Sequence, residues 1–255
     1  MARAEITAPG TEPEPRSGGP YGGRRVSRRT AALVAASACA TVLVVAGVRL
    51  SAELTRGPTA GERAAATAAE LAGRYRSWPA GRIFPAEIPY TLGQAAPEKA
   101  RRVGIGTDTR CETAADDALV RSLTSRGCRA VLRATYLDQA QGVAVTVGVV
   151  VFPDERSARE AVAWFPDDGP APGLRALPFP GSVAARFGDA ARQTSAAAQR
   201  GPYVVAATAG YADGRPTLRG TLADLAELVP QLVRGVLRPL AAPAKVRCGD
   251  REWRC

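Results

Sequence analysis

Residues 143–152 read VAVTVGVVVF, and this run decides the fold. Valine and threonine carry two heavy atoms on Cβ, which stiffens the side chain and suits a pleated strand. Residues 149–152 are apolar at every position, so both faces of the strand need cover, as in the centre of a sheet. Pro153 and Asp154 stop the run. Residues 154–165 then place Ala158, Ala161, Val162 and Phe165 at helical spacing. On the upstream side, residues 138–142 form a turn and residues 130–137 alternate as a partner strand.

A second round follows. Residues 191–199 predict a short strand, residues 203–211 (YVVAATAGY) a firmer one, and residues 212–215 a turn. From about 221 to 237 the chain puts Leu222, Leu225, Leu228, Val229, Leu232, Val233 and Val236 on one helical stripe, with a kink expected at Pro230. Residues 166–180, rich in proline and glycine, link the two rounds. Before the first round, Ala115, Ala118, Leu119 and Leu123 predict one helix over residues 112–125. The expected class is α+β, an antiparallel sheet covered by helices, built from two strand–strand–helix units. Their sequences are not alike enough to be a repeat.

Outside this domain the chain changes character. One run begins at Thr30, ends at Val48 and holds no charge over nineteen residues, about 28 Å of helix against a hydrocarbon core of roughly 30 Å. Arg24, Arg25, Arg28 and Arg29 precede it and Arg49 follows, a bias that keeps the N-terminus cytoplasmic. Ser27 to Leu33 (SRRTAAL) also resembles a twin-arginine export signal, and Ala36, Ser37 and Ala38 before Cys39 a lipoprotein cleavage box. The apolar run continues nine residues past Cys39, which favours an uncleaved anchor. The expected layout is a disordered cytoplasmic tail over 1–29, a transmembrane helix over 30–48 and an exposed helical stalk over 49–80. An extracytoplasmic domain over 81–243 and a C-terminal disulfide loop over 244–255 complete it.

Four cysteines lie beyond the span, Cys111, Cys128, Cys248 and Cys255, an even set on an oxidising side. Three pairings exist, and the preferred one joins Cys111 to Cys128 and Cys248 to Cys255. Their spacings match neither a redox motif nor a zinc site.

The net charge of +10 rests on arginine, with only Lys99 and Lys245 as lysines, and the basic residues are scattered. No nucleic-acid motif accompanies them, so a nucleic-acid partner is not expected. The expected partners are the bilayer and an envelope component or membrane protein. The chain has no histidine, which removes Ser–His and Cys–His catalysis and every histidine metal site. No cofactor or metal is expected. Asp116–Asp117, Asp167–Asp168, Ser182, Ser195 and Lys99 fit no nucleophile frame, and Gly104–Ile105–Gly106 reads as a plain turn. A ligand rim is the better candidate, with Phe179, Phe187, Tyr203 and Tyr211 for apolar contact and Arg186 or Arg215 for an anion.

The peptides Arg82–Ile83–Phe84–Pro85, Arg102–Val103–Gly104–Ile105, Gly127–Cys128 and Arg133–Ala134–Thr135–Tyr136 form a recognisable series. It continues through Gln141–Gly142, residues 149–154, Phe179–Pro180–Gly181 and residues 201–215. The series resembles a family of single-pass envelope proteins of Streptomyces-type actinobacteria and spans most of residues 82–215. The resemblance implies a membrane-anchored envelope domain and no particular activity. More remotely, the anchor, cysteines and last strand–helix pair resemble the extracellular sensor domains of mycobacterial serine/threonine kinases, although residues 1–29 hold no kinase segment. The expected function is extracytoplasmic binding, sensing or scaffolding, the chain not being read as an enzyme. The alternative is an envelope-polymer hydrolase using carboxylate or serine chemistry.

Overall fold

Residues 27–166, 169–216 and 223–244 are described by the computed structural model, which divides into residues 1–57 and 58–255. In the first unit Ser27 caps a single helix, α1 (Arg28–Thr55), by accepting from Thr30 N–H. At 28 residues it outruns the expected span of 30–48, and at 1.5 Å per residue it is about 42 Å long. None of its residues is buried, Leu33, Leu43 and Leu54 included. It is one helix long and apolar enough to cross a membrane.

In the second unit, the antiparallel sheet comprises β1 (Glu87–Tyr90), β2 (Glu98–Ile105), β3 (Ala130–Leu137), β4 (Val143–Val151), β5 (Arg192–Arg200) and β6 (Tyr203–Tyr211). The order across it is β1-β2-β3-β4-β6-β5. As its sequence predicts, β4 is interior, paired with β3 and β6 and buried on both faces. One face carries Val145, Val147 and Val149 of β4 with Val205 and Ala207 of β6. It is covered by α7 (Ala223–Leu240), whose Leu225, Leu228, Leu232, Val233 and Val236 reach inward. Each such burial contributes roughly 1.5–3 kcal/mol. The other face carries Val131, Val150, Val204 and Ala206 and is covered by α5 (Asp117–Ser125) and α6 (Glu155–Val162). The two strand–strand–helix units are therefore β3-β4-α6 and β5-β6-α7. They join through β4 and β6, and their helices lie on opposite faces.

Several expectations need correction. The helix expected over 112–125 is two, α4 (Cys111–Ala114) and α5. Between them Ala115 bridges to Leu174 and Asp116 N–H donates to the Gly173 carbonyl at 3.0 Å, which draws the backbone out of the helix. Gly104 and Ile105 are not a turn but the end of β2, which bulges between Arg102 and Gly104. Nor is the second half of the 49–80 segment an exposed stalk. Its helix, α2 (Ala60–Ser77), begins in a Thr59/Glu62 capping box and packs Leu71 and Tyr75 against the α7 side of the core. Arg74 is 3% exposed and donates to the Leu240 and Ala242 carbonyls at 2.7 and 2.6 Å, closing the C-terminal end of α7. A short turn of helix, α3 (Ala80–Ile83), then leads into β1.

Candidate functional site

The residues of the expected ligand rim divide between the two ends of the sheet. Tyr203, fully buried at the start of β6, donates its hydroxyl to the Leu71 carbonyl at 2.5 Å. Tyr211 lies at the other end of the same strand, about 26 Å away at 3.3 Å per residue. Arg215 stacks on the Tyr211 ring at 4.0 Å and pairs with Asp213 at 3.4 Å. Phe187 is buried beside Gly210, while Arg186 is exposed and packs its carbonyl near Gly214. Phe179 lies over Gly104, where an added Cβ would meet its ring at 2.3 Å. Tyr211, Arg215, Arg186 and Phe187 thus share one end of the sheet, and Tyr203 belongs to the other.

The groups weighed for catalysis are held by the fold. Asp116 accepts from Arg192 at 2.9 and 3.0 Å and from Gly173 N–H at 2.9 Å. Asp117 pairs with Arg175 at 2.8 Å, and Lys99 with Glu87 at 2.8 Å. The Lys99 ammonium, hydrogen-bonded to it, holds the Glu87 carboxyl below its ordinary range. Ser182 caps a 3-10 turn by accepting from Ala184 N–H. Ser195 donates to the Gly169 carbonyl at 2.9 Å. It ends a row of hydroxyls, Thr135, Thr146, Thr208 and Ser195, that face one another across β3, β4, β6 and β5. Thr135 and Thr146 sit 3.0 Å apart; Thr135 donates to the Leu177 carbonyl, and Thr146 accepts from Leu177 N–H. The row pins the loop after residue 169 onto the sheet. Asp167 and Asp168 lie outside the described residues.

That loop is also tied to the α4–α5 segment, which the Cys111–Cys128 disulfide staples at its ends. Cys248 and Cys255 lie outside the described residues. Beneath the loop Arg133 is 6% exposed, and its Nε has no hydrogen-bond partner among the described residues. Burial lowers its guanidinium pKa, opposed by the charges of Asp108 and Asp189. The described residues contain no cluster of three or more Cys, Asp or Glu that could hold a metal ion.

A different place offers unspent charge. Ile88, Pro89, Gln231, Arg234, Gly235 and Arg238 line a groove of about 350 Å³ between β1 and α7. Gly235 permits the approach, because a Cβ there would meet Ile88 Cγ2 at 2.5 Å. Gln231 is fixed by Thr91, accepting from its N–H at 3.0 Å and donating to its carbonyl at 2.7 Å. Arg234 and Arg238 are exposed one helical turn apart, and neither has a carboxylate partner among the described residues. Two adjacent guanidiniums beside a groove suit a carboxylate or phosphate group. The sequence held a signal for them: residues 228–249 contain Arg234, Arg238, Lys245 and Arg247 and no acidic residue.

No family model, curated protein or solved structure matches the chain.

Proposed function

We propose that this chain is a membrane-anchored binding domain of the envelope, in which α1 spans the bilayer with its N-terminus in the cytoplasm. The arginines at 24, 25, 28 and 29 outweigh Arg49 and Arg56 on the far side, which supports that orientation. A disulfide in the second unit fits an oxidising compartment. Membership of the actinobacterial envelope family is part of the same proposal.

The observation that carries the binding role is the Arg234–Arg238 pair beside the β1–α7 groove, which has no carboxylate partner among the described residues. Charged side chains left without partners at a concave surface are available to an anionic group of an envelope component. Pulldown from crosslinked membranes with wild type and with R234A/R238A tests this. The wild type is expected to retain an anionic component that the double variant loses; equal capture by both defeats the reading. Turnover of an envelope polymer abolished by one Asp or Ser substitution would establish the hydrolase alternative instead.

A further inference from the structure

The two edges of the sheet are treated differently. At β1 several devices that discourage strand addition are present. The strand is four residues long and contains Pro89, which has no N–H. Gln231 occupies both main-chain groups of Thr91, and Glu227 accepts from Gly93 N–H at 2.7 Å.

At β5 those devices are missing. Nine residues long, it reads RQTSAAAQR, without proline or lysine and without charge from 193 to 199. Apart from Arg192 N–H, which donates to the Asp189 carbonyl, no hydrogen bond from anywhere but β6 reaches its main chain among the described residues. Both its faces are covered, Ala196 and Ala198 on the α7 side and Ala197 on the α6 side. Even so, residues 196–199 all remain partly exposed, where their partners on β6 are buried. As the edge strand of the sheet, β5 turns outward N–H and C=O groups that have no partner among the described residues, and their natural complement is another extended strand.

We infer that this edge is an interface between two copies of this chain, β5 against β5 of the second copy, antiparallel about a two-fold axis at Ala197. The sequence is self-complementary in that register. Ala197 faces Ala197, Ala196 faces Ala198, Ser195 faces Gln199 and Thr194 faces Arg200 of the other copy. Small side chains meet small ones, no like charges are opposed, and the bulge between Arg192 and Thr194 falls outside the paired segment. An isologous contact of this kind closes on itself and stops at a dimer of twelve strands in one sheet.

The test uses the full-length chain in detergent, in a C39S background so that the free thiol of Cys39 makes no bridge. Light scattering is expected to give a dimer. A197K, which sets two cations face to face, is expected to give a folded monomer whose melt is lowered by the lost packing of Ala197 on the α6 side. A197C is expected to form an intermolecular disulfide on mild oxidation, since directly opposed residues lie about 4.5–5.5 Å apart, within disulfide reach. E87C, on the protected β1 edge, is expected to form none. A monomer at all concentrations, a dimer that survives A197K in folded form, or equal crosslinking by A197C and E87C would overturn the interface. Should A197K fail to fold, the comparison of the two cysteine variants decides.

Discussion

Arg192 and Asp116 meet side by side, two guanidinium nitrogens on two carboxylate oxygens at 2.9 and 3.0 Å, across seventy-six positions of sequence. Arg192 is the more buried partner, its side chain 8% exposed against 23% for Asp116, and it also donates to the Leu174 carbonyl at 2.9 Å. The pair therefore joins the start of β5, the α4–α5 break and the crossing loop. Removing one member of a buried pair strands the other, so R192M is expected to cost about 2–3 kcal/mol, discounted for the partial exposure of Asp116. R192M/D116L leaves no buried orphan charge, since Asp189, the other partner of Arg192, is exposed, and is expected to regain part of that loss. Urea unfolding of the three proteins measures both steps, and a double variant no more stable than the single one would refute the orphan-charge account.

Close by, Cys111 and Cys128 are separated by 17 positions and enclose α4 and α5. In the chain-entropy picture a loop of that size lowers the entropy of the unfolded chain by an amount worth about 3 kcal/mol. C111A/C128A should lower the unfolding midpoint accordingly, and added reductant should then have no further effect through this bridge. A variant as stable as wild type would place the loop's order in its packing instead.

Thr146 supplies a third point of attachment, accepting from Leu177 N–H at 2.9 Å in a position 0% exposed. T146V keeps the shape and removes the acceptor, leaving a part-buried N–H without that partner at a cost of about 1 kcal/mol. Hydrogen exchange should quicken at Leu177 more than in the central strands. Uniform acceleration through the sheet would mean that the hydroxyl supports the strands rather than the loop.

What was legible in the sequence follows from these contacts. Residues 143–151 and 203–211 declare themselves because burial on both faces demands apolar, β-branched or small side chains throughout. The interior of α7 is equally plain, since one helical stripe meets one sheet face. β1 and β2 escaped notice because Pro89 and the glycine at 104 speak against strands, and only the overlying ring of Phe179 explains why residue 104 lacks a side chain. The break at Ala115 and Asp116 was equally hidden, being imposed by a loop some sixty positions later. Tyr203 and Tyr211 looked like companions because both flank turns. A strand of even modest length separates its ends by more than any small ligand spans.

Alkaline pH gives the last test. Burial pushes the Tyr90 and Tyr203 hydroxyls up to about 12, and raises that of Tyr136 as well. In the unfolded chain a tyrosine ionises near 10. Below about pH 10 the three are protonated in both states and stability is unaffected. Between about 10 and 12 the unfolded chain releases protons that the folded chain retains, so the unfolded state binds fewer and stability falls as pH rises. With no histidine and only Lys99 and Lys245 as lysines, few other groups compete in that window. Urea midpoints should hold steady up to about pH 10 and decline above it, and Y203F should decline less steeply. The same variant should lose about 1 kcal/mol at neutral pH, because the Leu71 carbonyl forfeits its donor. Tyrosinate absorbance of the folded chain supplies the check: part of the signal from the six tyrosines should be withheld until the protein unfolds, and release of all six together near pH 10 would contradict their burial.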